Sequence, residues 1–247
     1  MKFSIGNDCF EISDTLLQTI VRAIDQAVSE DVLNHVMSEQ WDTCNHLAFI
    51  RGSYINKNLR RSITMEGCEI HPFSRCSWKG RILICHDSHI TITITTQSTL
   101  DQIPKKNRKR PHYQQSLLHR LNGDLHGKCE QMSLYGVDPF DDESYAIDFA
   151  DIMSGAIDTI DGYRHCELVY RTNGRDLTDV KLLVLDPAFN PVEEVSLVDY
   201  IRPDFSHLTE PTSTVTVSRD EHNTATHRLT TLKPGIKPAL REEEAQA

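Results

Sequence analysis

The sequence predicts an α+β domain in which antiparallel β-hairpins pack with N-terminal and central helices, followed by a polar C-terminal tail. Ile90, Ile92 and Ile94 alternate with Thr91, Thr93 and Thr95 after a four-residue gap from the run at 81–85, which is the period-two pattern of paired strands. Leu17, Ile20, Val21, Ile24, Ala27 and Val28 recur at helical spacing near the start. Helices, strands, helices and a second hairpin follow one another in blocks rather than as alternating βαβ units. We expect residues 1–205 to form one domain and 206–247 a flexible polar tail.

Ser13 and Asp14 offer a cap for the first helix, and Ser29 a cap for a second that contains Val32, Leu33, Val36 and Met37. This second helix carries Glu30, Asp31 and Glu39 and no Lys or Arg, so it has the wrong sign for a DNA-recognition helix. From about Asn45 the pattern reads as short strands, with 47–55 apolar and aromatic around Arg51 and Tyr54. His86, Asp87, Ser88 and His89 form the turn between 81–85 and the Ile/Thr strand, whose threonines are expected to point outward. After Pro111 a helix should include Leu117, Leu118 and Leu121 and end near Asn122 and Gly123.

Asp141, Asp142 and Glu143 place negative charge at the start of a further helix, as the macrodipole favours. Its apolar face is Phe149, Ile152, Met153, Ala156, Ile157 and Ile160, and its acidic face Asp148, Asp151 and Asp158. Strands at 166–171 and 180–185 flank a connection through Asn173 and Gly174. A short helix is expected over 193–200. Beyond Pro203 apolar density falls, and Thr, Ser and Pro recur without a core pattern.

The 247 residues are 38% hydrophobic and 25% charged, ordinary values for a globular protein that buries a core. No apolar run approaches the roughly 20 residues of a membrane helix, and Asp8 interrupts the start where a signal peptide would be apolar. Cys9, Cys44, Cys68, Cys76, Cys85, Cys129 and Cys166 are odd in number and show no repeating spacing, which suits reduced thiols. We therefore expect a cytoplasmic protein without membrane contact. Phosphate-binding, dinucleotide, kinase, serine-hydrolase and zinc-protease motifs are absent from the sequence, and no cofactor is expected.

The chain carries a formal net charge of −10, yet Lys105, Lys106, Arg108, Lys109 and Arg110 fall within six positions. Like charges repel, so such a run should be extended, solvated and open to a polyanion. Pro104 and Pro111 argue against a continuous helix through it. Tyr113 is placed to stack on a base and His112 to donate to phosphate. Arg51, Lys57, Arg60, Arg61, Arg75, Lys79 and Arg81 would extend the run into a patch if strands bring them to one side.

Other constellations are weaker. Cys68, His71, Cys76 and Cys85 are zinc-competent residue types at an irregular spacing, so no metal is expected. His86, His89, His112, His119 and His126 provide raw material for a metal-independent nuclease but no spacing that fixes their geometry. The acidic face formed by Asp148, Asp151 and Asp158 suits a protein partner. The reading is thus an accessory or effector protein contacting nucleic acid through the basic loop, with the mixed-sign surface suiting a toxin-like component of a two-gene system. The alternatives are a non-enzymatic interaction module and a small nuclease.

Overall fold

A computed structural model describes residues 2–5, 8–38, 45–75, 78–106, 108–127 and 140–201. The expected tail, together with Cys44, Cys76 and Cys129, lies outside them. The architecture is α+β, built on a six-stranded, mostly antiparallel sheet. Strands β1 (Lys2–Ile5) and β2 (Asp8–Glu11) make a separate antiparallel pair.

Helix α1 (Asp14–Asp25) buries Leu16, Leu17, Ile20, Val21, Ala23 and Ile24, the stripe set by its apolar spacing. Ser29 does not cap a new helix. Its hydroxyl donates to the Asp25 carbonyl at 2.6 Å, and the chain runs through a π-helical stretch (Gln26–Asp31) into α2 (Val32–Ser38). Residues 47–55 are also not a strand. They open the sixteen-residue helix α3 (Leu47–Ser62), which buries Ile55, Asn58 and Leu59 at helical spacing. Asn58 ties α3 back by donating to Asp31 Oδ2 at 2.7 Å and to the Ala23 carbonyl at 3.3 Å.

The main sheet runs β3 (Cys68–Arg75), β4 (Trp78–Cys85), β5 (Ile90–Thr96), β6 (Arg164–Asn173), β7 (Asp176–Leu185) and β8 (Pro191–Ser196) in spatial as well as chain order. All neighbours are antiparallel except β5 and β6, which pair in parallel. Their crossover carries α4 (Gln97–Leu100), α5 (Tyr113–Leu121) and α6 (Asp142–Met153). The short helix expected over 193–200 is instead the end of edge strand β8 followed by a single 3₁₀ turn, Val198–Tyr200. The acidic helix stops at Met153, short of Ala156, Ile157 and Ile160, because Ser154 and Gly155 turn left-handed at φ 48° and 81°.

Helices cover both faces of the sheet. On one, α1 and α3 pack over Leu83, Cys85, Ile90, Ile92, Leu168, Val180, Leu182 and Val184. On the other, Tyr113, Leu117, Leu121, Phe149, Ile152 and Met153 from α5 and α6 pack over Phe73, Ile82 and Ile84. Each fully buried Ile or Leu contributes about 1.5–3 kcal/mol.

This double cover overturns the expectation that Thr91, Thr93 and Thr95 face solvent, because all three are buried. Thr91 and Thr93 can be buried because polar partners come with them. Glu167 on β6 accepts from Thr93 Oγ1 at 2.6 Å and from Gln114 Nε2 at 2.7 Å. The neighbouring His165 lies within hydrogen-bond distance of Thr91 Oγ1, at 2.8 Å, and of Glu167 Oε1, at 3.1 Å. No helix among the described residues is long and apolar enough to cross a membrane.

Candidate nucleic-acid interface

The basic run connects α4 to α5 and is pinned at both ends. Leu100 and Ile103 enter a cluster with Leu118, Val169, Leu183 and Leu185, which fixes the segment before the charges. After them Pro111 is buried and His112 caps α5. Gln114 N–H donates to His112 Nδ1 at 3.4 Å, and His112 N–H to Gln115 Oε1 at 2.7 Å, a reciprocal cap.

Between these anchors the five cations divide. Lys105, Lys106 and Lys109 are exposed. Arg108 is half-buried and donates through Nη1 to the Ile103 carbonyl at 3.0 Å, closing the loop on itself. Arg110 reaches toward α6, with Nη2 3.7 Å from Asp148 Oδ1 and 3.9 Å from Asp151 Oδ2.

Of the cations upstream, Arg75 joins the run. It leaves β3 on the α6 side of the sheet, and its Nη2 lies 2.7 Å from Asp148 Oδ1. Burial, with a smaller effect from Arg75, lowers the pKa of Arg108. Burial first, then Arg108, Arg75 and Lys106 in turn, push the His112 imidazole down to about 3. His112 is therefore neutral at physiological pH, and with Nδ1 accepting from the backbone it has only an Nε2–H to offer a phosphate. Lys79 and Arg81 line a groove between α3 and the sheet, Arg51 lies beside Tyr170 and Arg171, and Lys57 sits over the Tyr54 ring.

The acids expected to share one face are separated. Asp148 is only 3% exposed and accepts from Ser116 Oγ at 2.6 Å as well as from Arg75. Asp151 is exposed. Asp158 lies beyond α6 and caps the next turn, accepting from Ile160 N–H at 3.3 Å. Asp148 is on the inner side of the helix because α6 rotates it toward Ser116 of α5, where a guanidinium compensates its charge.

The histidines do not converge on the loop. His86 and His89 flank Tyr163 at the turn between β4 and β5, with His86 Nδ1 2.8 Å from the Tyr163 hydroxyl. That turn and Trp78 are at opposite ends of β4, about 25 Å apart at strand rise. His119 stacks on Tyr145, with ring centroids 4.1 Å apart, and His126 is exposed.

The cysteine cluster divides in the same way. Cys68 and Cys85 are register partners with Sγ atoms 4.0 Å apart, facing the α3 side. His71 faces the other side, with Nε2 2.9 Å from the Ile152 carbonyl. The two sides of a sheet cannot supply one ion, and among the described residues no group of three or more His, Cys, Asp or Glu side chains could hold a metal.

A second feature beside the loop was not singled out from sequence. Strands β4 and β5 pair only at Leu83–Ile92, Ile84–Thr91 and Cys85–Ile90, then diverge. The opening is a groove of about 420 Å³ whose lining includes Phe49 and Gly52 of α3, Trp78 and Gly80 of β4, Ile94 of β5 and Tyr113 of α5. Trp78 is 44% exposed and Phe49 75% exposed. The Trp78 and Tyr113 ring centroids are 5.2 Å apart, and Phe73 is 5.4 Å from Trp78 and 5.1 Å from Tyr113, so a three-ring cluster holds the tryptophan in place. Gly80 is required there. A Cβ at that position would meet Phe73 Cζ at 2.4 Å and the Trp78 ring at 2.7 Å.

Residues 10–247 match a family described as a family of unknown function (DUF5986). No curated protein and no solved structure matches the chain.

Proposed function

Since the chain belongs to the DUF5986 family, whose description assigns no activity, we propose from its own geometry that it contacts nucleic acid through the 105–110 loop. One observation carries the reading. Arg75 of β3 and Arg110 of the run converge on Asp148 Oδ1, at 2.7 and 3.7 Å, beside the exposed Lys105, Lys106 and Lys109, inside a chain of net charge −10. Gathering like charges is unfavourable unless a counter-charge is bound, and a phosphate backbone is such a counter-charge. Asp148 neutralises part of the cluster by holding Arg75, which leaves Lys105, Lys106 and Lys109 to face outward.

On this reading the protein acts by binding, as an accessory or effector such as the toxin-like member of a two-gene system. The nuclease alternative gains no support at the loop, where His112 is neutral and the other histidines lie elsewhere. An interaction module built on the acidic helix would have to use Asp151 without Asp148, which Arg75 and Ser116 occupy.

The test is anisotropy of labelled single-stranded RNA, single-stranded DNA and duplex DNA at ~50 mM salt. Wild type is compared with a Lys105→Ser, Lys106→Ser, Lys109→Ser variant. Binding that the triple substitution weakens supports the proposal. Equal binding by both proteins, or no binding by either, contradicts it.

A further inference from the structure

We propose that the groove where β4 and β5 diverge receives an unpaired base of single-stranded nucleic acid, with Trp78 as its stacking platform. The inference rests on the loop reading and names the class of nucleic acid that the loop delivers. A stacking site needs an aromatic face that is open to solvent, rigid and close to cations that can hold the backbone. Trp78 meets all three conditions. Trp78 is 44% exposed, it is backed by Phe73 and Tyr113, and it is the register partner of Arg75, which shares Asp148 with Arg110 of the basic run.

The surroundings suit a base rather than an apolar segment. Lys79 and Arg81 line the groove on β4; Lys79 is exposed, and Arg81 Nη1 donates to the Gly80 carbonyl at 3.1 Å. Phe49 supplies a second exposed aromatic ring from the helix wall. The volume of about 420 Å³ lies within the range of small-molecule sites. A duplex keeps its bases stacked on one another and cannot place one here without unpairing it. A single strand can run its phosphates along Lys106 and Lys109 and turn a base into the groove.

Binding of an oligothymidylate of about 12 nucleotides, a typical length for single-strand grooves, is compared with binding of a duplex of equal length. The proteins are wild type, Trp78→Ala, Trp78→Phe and the triple loop variant. We expect Trp78→Ala to lose about 5- to 150-fold in single-strand affinity, the cost of one stacked base. Duplex affinity should be unchanged, and Trp78→Phe should recover most of the loss. In a Trp41→Phe background, Trp78 emission should be quenched by the oligonucleotide.

If Trp78→Ala binds the single strand as wild type does while the loop variant loses both ligands, the groove inference is wrong and the loop reading stands. An equal loss on both ligands also overturns the groove inference. If wild type binds neither ligand, both proposals fall.

Discussion

Arg75 Nη2 lies 2.7 Å from Asp148 Oδ1, joining strand β3 to helix α6 beside the end of the basic run. Arg110 approaches the same oxygen at 3.7 Å, and Ser116 Oγ donates to the other at 2.6 Å. One buried carboxylate therefore positions two arginines of the candidate interface and links two helices.

Replacing Asp148 tests that role. Asp148→Ala removes the 2.6 Å acceptor of Ser116, leaving only the His112 carbonyl at 3.5 Å, and strips Arg75, only 18% exposed, of its counter-charge. We expect a loss of about 2–4 kcal/mol, read from the urea midpoint. Asp148→Asn, which still accepts from Ser116, should lose less. If Asp148→Ala matches wild type, the carboxylate is not what holds these elements.

His112 gives a pH signature. Its folded pKa of about 3 is below the ordinary value of 6.5, so the unfolded chain binds more protons between those limits. Stability from this group is complete above pH 6.5 and is lost as pH falls toward 3. His112→Asn keeps a capping side chain and removes the titration. Its thermal midpoint should fall less than that of wild type between pH 7 and pH 5, a difference worth about 1–2 kcal/mol. Parallel falls in the two proteins would contradict the assignment.

The buried Glu167 accepts from Thr93 Oγ1 and Gln114 Nε2 and lies 3.1 Å from His165 Nε2, in a site with no exposure. Glu167→Gln keeps the shape but puts an NH₂ group either against the donors Thr93 and Gln114 or against His165. We expect about 1–3 kcal/mol of destabilisation by urea unfolding, with Thr93→Val smaller because it removes only one donor. An unchanged midpoint for Glu167→Gln would show that the network has no energetic weight.

Gly80 tests the aromatic cluster. Gly80→Ala would place a methyl group 2.4 Å from the Phe73 ring, so the rings must move. We expect about 1–3 kcal/mol of overpacking cost and a red-shifted Trp78 emission in a Trp41→Phe background. Wild-type stability and emission together would show that the ring cluster has room to spare.

Local signals made much of this fold legible. The Ile/Thr alternation located β5, and the two hairpins emerged from apolar runs on either side of turn residues. Alternation tells which residues share a face, not whether that face is covered, so Thr91, Thr93 and Thr95 were read as outward. Their cover comes from α5, and the partners of Thr91 and Thr93, His165 and Glu167, are far away in sequence. Residues 47–55 misled because Leu47, Phe49, Ile50 and Tyr54 are strand-compatible, and the helical stripe appears only once Asn58 and Leu59 are included. Strand β3 was missed because Glu69 and Pro72 interrupt its pattern.

The site shows the same division. The density of the basic run marked it in sequence. Arg75 and Asp148, which organise it, are brought together only by the packing of α6 on β3. Trp78 gave no signal of its own, since a lone aromatic between Ser77 and Lys79 does not tell what its ring packs against. Only the divergence of β4 from β5 exposes it.

The salt dependence of duplex DNA binding tests the loop most directly. Each phosphate neutralised contributes about −0.9 to the slope of log affinity against log salt, so five free cations would give about −4.5. With Arg108 bonded to the Ile103 carbonyl and Arg110 beside Asp148 and Asp151, the three exposed lysines should give about −2.7. Substituting Lys105, Lys106 and Lys109 with serine should flatten the slope toward zero. An unchanged slope in that variant, or no binding by wild type at ~50 mM salt, would contradict the assignment of the loop to nucleic acid.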